Sequence, residues 1–324
     1  MFIEGLQLQP FFVALLLNGI TFNRKRRGKM DYMEFINAVC DYINETADDV
    51  TTNIHTTVKN NSVRLSGLSF KSEGYNASPT IYMENYYSDY LAGEDISDIG
   101  DRLLRLYREN DMAVSLDMSF FETFESVKDR LFIKLINKKA NLELLADIPY
   151  EEYLDLAIVV YVRVCDRKIG NGIIMVRNEH LSLWGTDAET VLYTAKKNTH
   201  DHDDFTISHI IDVLNNMGSL NRKISDRERA EFPMYVATNR KMINGASVLT
   251  MTDKLKEFGK VIGGDYYVIP SSVHELILLG QNSTDRGCDI DGMIKEVNRT
   301  QVGPDDVLSD HVYMYSLEDE VLLF

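Results

Sequence analysis

This chain of 324 residues predicts an α+β fold: a mixed, mainly antiparallel sheet or sheets with packed helices, arranged in two lobes. Three observations carry the prediction. The stretch from Pro233 to Leu279 reads as strand, strand, helix, strand, strand. Asn60-Asn61 and Asn244-Gly245 each separate two runs of strand-forming residues, which marks hairpins and therefore antiparallel pairing. Helical stripes, such as Ile96, Ile99, Leu103 and Leu106, lie between the strand groups.

Residues 1–29 are expected to be a non-native or disordered N-terminal extension. Pro10–Leu17 is apolar but far short of the ~20 residues that a bilayer span needs. A signal peptide carries its positive charge before the apolar run, whereas here RKRRGK follows it. Arg26-Arg27 can be encoded by AGGAGG, a ribosome-binding sequence, which makes Met30 the expected start. The alternative is a membrane-surface anchor that uses the apolar run and the basic cluster.

Residues 30–218 form the expected N-terminal lobe. Tyr32–Thr46 predicts an amphipathic helix with Phe35, Val39 and Ile43 on one side. Asn53–Lys59 and Val63–Phe70 alternate around Asn60-Asn61 as a hairpin, and Pro79–Met83 is a third short strand. Glu84–Ala92 is a helix stopped by Gly93; its tyrosines, with Tyr82, are read as core packing before a base-stacking platform. Leu131–Ile136 is a strand, and Leu154–Val164 is a strongly apolar one whose partner is Gly172–Val176. Trp184 anchors a helical turn to the core. Ala188, Val191, Leu192 and Ala195 line one helix; Ile207, Ile210, Ile211 and Leu214 line the next.

A charged stretch at 219–231 is the expected linker, and 232–324 is a C-terminal ββαββα lobe. Met234–Thr238 and Ala246–Met251 are its first two strands. Thr252 and Asp253 start a helix, Thr252 as cap, and Gly263-Gly264 ends it by supplying positive φ. Asp265–Ile269 and Val273–Leu279 follow; the last is apolar on both faces and therefore central. Ile290, Met293, Ile294 and Val297 line a helix, and Val312–Tyr315 is a late strand.

The run GGDYYVIPSSVHELILL, together with SPTIYMENYYSDYLAG and VNRTQVGPDDVLSDHVYMY, resembles the clostridial domain-of-unknown-function family 5688. The resemblance covers most of the chain from Met30 onward. It implies a bacterial, cytoplasmic α+β protein and no particular activity.

Composition narrows the function. The net charge is −16, from 34 Lys+Arg against 50 Asp+Glu, so a nucleic-acid partner is disfavoured: phosphates need a basic patch. Cys40, Cys165 and Cys288 are odd in number and lack C-x-x-C spacing, which points to free thiols in a reducing cytoplasm. Neither a Walker-type nor a G-x-G-x-x-G phosphate loop occurs, and no cofactor is expected.

Two constellations contain chemically competent residue types. His200, His202 and Asp204 match part of an H-x-H-x-D-H metal pattern, in which two imidazoles and a carboxylate hold zinc. Phe205 stands where the final histidine belongs, and a solvated loop between helices is the plainer reading. Ser271, Ser272 and His274 bring serine and histidine together, but no G-x-S-x-G elbow is present. Serines that satisfy turn backbone explain that stretch more simply, and it is a better binding surface than a catalytic one. The leading expectation is a protein-binding or regulatory module without catalysis. A metal- or serine-dependent hydrolase is the alternative, and an acidic nucleic-acid mimic from a mobile element the second.

Overall fold

The computed structural model describes residues 4–5, 29–71, 80–109, 117–166, 170–216, 218, 225, 227, 229, 233–270, 272–281 and 290–324. Over these the chain is an α+β protein with three sheets, and every pairing between described strands is antiparallel. No described helix is long and apolar enough to cross a membrane.

Glu4–Gly5 form β1. Asp31 and Glu34 open α1 (Tyr32–Thr46) by a reciprocal cap, each carboxylate accepting the other's backbone N–H at 2.9 Å. β2 (Thr51–Val58) and β3 (Arg64–Lys71) pair from Thr51–Lys71 to Val58–Arg64, and β4 (Thr80–Tyr82) adds to β3. Asn61 turns the hairpin at φ +60°, a left-handed conformation that asparagine tolerates better than most residues. α2 (Glu84–Ala92) stops at Gly93, and α3 (Ile96–Glu109) follows. Phe35, Val39 and Ile43 of α1 meet Leu68, Phe70, Ile99 and Leu103 in a core of their own. Each such side chain contributes about 1.5–3 kcal/mol by leaving water. Tyr86, Tyr87 and Tyr90 pack against this core, Tyr90 stacked on Phe35 with ring centroids 5.2 Å apart.

A short α4 (Phe124–Val127) leads into β5 (Leu131–Asn137), and α5 (Leu142–Leu145) leads into β6 (Tyr150–Tyr153). Leu154, at φ +55°, turns β6 back on β7 (Leu156–Asp166), which pairs on with β8 (Gly170–Met175). The sheet runs β1-β8-β7-β5, with β6 beside β7. Alternation divides its residues. Ile133, Leu135, Ile158, Val160 and Val162 enter the main core, while Ile136, Ala157 and Val159 join a small one with Leu145 and Ile148. α6 (Asn178–Trp184) and α7 (Ala188–His202) close this layer. Trp184 anchors it, its indole N–H donating to the Phe121 carbonyl at 2.7 Å.

The third sheet contains β9 (Phe205–His209), β10 (Met234–Asn239), β11 (Tyr266–Ile269), β12 (Leu276–Gly280), β13 (Tyr313–Ser316) and β14 (Val321–Leu323). Its order is β14-β13-β11-β12-β10-β9, so β12 is central as its sequence required. α8 (Ile210–Asn216), α9 (Thr252–Ile262) and α10 (Ile290–Gln301) complete the chain.

Three local expectations are corrected. Ala246–Met251 is not a strand; Gly245–Thr250 is a buried 3-10 turn. Asn244 enters it at φ +54°, and Ser247 and Thr250 hydroxyls donate to the Asn244 and Ser247 carbonyls at 2.8 Å, so local bonds replace a ladder. Ile207 lies on strand β9, paired with Ala237, and not on the helix that begins at Ile210. Thr252 is the first residue of α9 rather than its cap, a position that Met251 holds without a side-chain bond.

The 219–231 stretch falls almost wholly outside the described residues. One apolar core lies within residues 35–107, and another, from Phe121 to Tyr315, is shared by the two larger sheets. β9 belongs to the later sheet although it precedes 219.

Candidate functional site

Among the described residues, a surface groove lies between β6 and α7. The sequence YEEY forms β6 because its ends pair with the apolar β7, Tyr150 opposite Val159 and Tyr153 opposite Leu156. Asp187 caps α7, its carboxylate accepting the Thr190 N–H at 2.7 Å; that bond holds the Asp187 pKa below its ordinary range. Val191, Leu192 and Ala195 turn into the core, which leaves Tyr193 outward, 69% exposed. Between strand and helix is an open groove of about 620 Å³ lined by Tyr150, Glu151, Glu189, Leu192, Tyr193 and Lys196. Lys196 Nζ meets Glu151 Oε2 at 2.5 Å across it. Both ends of that pair are solvated, so it contributes below about 1 kcal/mol.

A polar centre joins the two larger sheets. Arg163 of β7 donates to Asp203, just past α7, at 2.6 Å, and to the Tyr161 hydroxyl at 3.1 Å. Its guanidinium lies 3.5 Å from the Phe132 ring centroid. Burial works against the Arg163 charge, and Tyr161 and Asp203 outweigh it, so its pKa is raised. Asn239 fixes the next turn through Ile243, donating to its carbonyl at 2.7 Å. Asn244 Nδ2 is buried, and an Asn244 hydrogen bond to Tyr161 works against the rise that burial imposes on the Tyr161 pKa.

His274 borders this centre and has both ring nitrogens engaged. The Asn244 N–H donates to Nδ1 at 3.2 Å, which leaves the proton on Nε2, 3.2 Å from Asp306 Oδ1. Ser272 is fully buried, and its hydroxyl accepts the His274 backbone N–H at 3.1 Å. Ser271 lies outside the described residues. Among the described residues the arrangement is that of a turn held by its serine and histidine. Glu275 beside it is 4% exposed, and burial raises its pKa.

The three metal candidates are not brought together. α7 continues through His202, so the expected loop is helix there. Residues two apart on a helix point about 200° apart. His200 reaches Asp201 and Asp253, at 3.2 and 3.5 Å, while His202, the last residue of α7, and Asp204 beyond it are exposed. Among the described residues no group of three His, Cys, Asp or Glu is placed to hold a metal ion.

Sequence reasoning passed over β6 and the groove. The available signal was a tyrosine at each end of a four-residue run before an apolar strand, and one tyrosine on the polar side of α7. A family model, the Family of unknown function (DUF5688), matches residues 32–317. No curated protein and no solved structure matches the chain.

Proposed function

We propose that this chain, which belongs to the Family of unknown function DUF5688, is a non-catalytic protein-binding module whose partner docks in the groove between β6 and α7. The carrying observation is the pair of tyrosines at that groove, Tyr193 69% and Tyr150 37% exposed. Tyrosine supplies a large apolar body with a polar tip at low conformational cost, and protein interfaces are enriched in it. A charge of −16 supports a protein partner over nucleic acid. The scattered cysteines, with Cys40 buried and unbridged, support residence in a bacterial cytoplasm, and the sequence runs quoted above support a clostridial source.

The test places a photo-crosslinking aromatic residue at position 193 in the native host. The same probe at Val261, 76% exposed on α9, serves as control. A discrete adduct from position 193, absent from 261 and lost on Tyr150→Glu, is expected. Identical adduct patterns from both positions would sink the reading.

A further inference from the structure

We infer that the groove takes an extended, basic segment of a partner protein, added as a strand along the outer edge of β6; this rests on reading the groove as a docking site. β6 pairs with β7 on one side, and among the described residues no strand pairs with its other edge. An unpaired edge presents N–H and C=O groups that template another chain. In a two-residue hairpin the closing pair, Tyr153–Leu156, exchanges hydrogen bonds, so the outward-facing groups belong to Tyr150 and Glu152. Four residues of strand offer about 14 Å of edge, and the two turns of α7 from Glu189 to Lys196 run about 10 Å. Tyr150 and Glu151 of β6 line the groove on one side and α7 on the other, a pairing of strand and helix of the kind that receives an extended peptide through main-chain bonds, with side chains setting preference.

Charge selects the occupant. Lys196 is held by Glu151, and Lys138 holds Glu152 at 2.6 Å. Glu189 is exposed and has no ion-pair partner among the described residues, so the groove presents one uncompensated carboxylate. The competing role for Glu151 and Glu152 is to guard the edge against any added strand. Their neutralisation by Lys196 and Lys138 weakens that guard.

The test titrates the full ¹⁵N-labelled chain with an acetylated, amidated hexapeptide alternating lysine and valine. Amide shifts are expected at Tyr150–Tyr153 and along Glu189–Lys196. N-methylation of the peptide's alternate amides on the β6-facing edge should weaken binding about tenfold or more. Glutamate in place of lysine should weaken it about threefold, and Glu189→Lys should reverse that order. Equal binding of the N-methylated peptide, equal binding of both charge forms, or no binding at millimolar peptide overturns the inference. A position-193 adduct that persists in any of those cases leaves the docking reading standing, so the two can fail separately.

Discussion

Asn61 is the residue whose removal most directly tests how the parts of this molecule are joined. The unit built on α1, α3 and the β2–β3 hairpin has its own core and meets the rest through the hairpin tip. Asn61 Nδ2 donates to the Pro304 and Val307 carbonyls at 2.9 and 2.7 Å, and its Oδ1 accepts from Asn141 at 3.0 Å. Asn61→Ala deletes all three bonds, each worth about 1 kcal/mol net, and places alanine at φ +60° at a further cost of about 1 kcal/mol. The expected loss is about 3–4 kcal/mol, felt as undocking of the first unit. Asn61→Gly separates the terms, because glycine keeps the backbone conformation and loses only the bonds. Urea denaturation should show an early transition for Asn61→Ala, with glycine falling between it and the parent. Hydrogen exchange should quicken at Asp306 and Val307, whose N–H groups bond the Gly303 carbonyl. A variant within about 0.5 kcal/mol of the parent, with unchanged exchange in that loop, refutes the argument.

Other outcomes follow from the polar centre and its borders. Asp203→Ala leaves the Arg163 charge buried, their side chains being 5% and 16% exposed, and should cost about 3–5 kcal/mol by thermal denaturation; Asp203→Leu with Arg163→Met should cost less than Asp203→Ala alone. Glu275 has its folded pKa raised by burial above its ordinary 4.5, so the folded state holds that proton more tightly than the unfolded chain does. Its contribution is present below pH 4.5 and is lost as pH rises through the raised value. Glu275→Gln should therefore gain on the parent in urea midpoint as pH rises above 4.5; a gain that grows toward acid contradicts this. Replacing His200 and His202 together by alanine should leave folding and bound metal unchanged, and a loss of zinc by native mass spectrometry would reinstate the metal reading.

Most elements were legible because their signals are local. The helical stripe of Tyr32–Thr46, the Asn60-Asn61 turn and the glycine that ends α9 act through nearest neighbours, and each holds. Ala246–Met251 failed as a strand because its hydroxyls and the Asn244 backbone form a local turn, which β propensity does not register. Ile207 kept a helical spacing with Ile210 and Ile211, yet pairing with β10 outweighed it. For the candidate residues, sequence adjacency carried no geometry. Ser272 lies beside His274 in the chain but bonds its backbone, and the imidazole finds Asn244 and Asp306, 30 and 32 positions away.

By itself the sequence determined the α+β class, the central place of β12, the acidic charge and the family resemblance that the match over 32–317 bears out. Periodicity, turn chemistry and composition are sums over near neighbours, and a sequence displays those directly. Tertiary structure alone decided that one apolar core serves both larger sheets, that the Asn61 tip docks on residues 304–307, and that β6 and α7 enclose a groove. Those facts depend on which distant surfaces meet. That is settled by shape and by the need to satisfy every buried polar group at once.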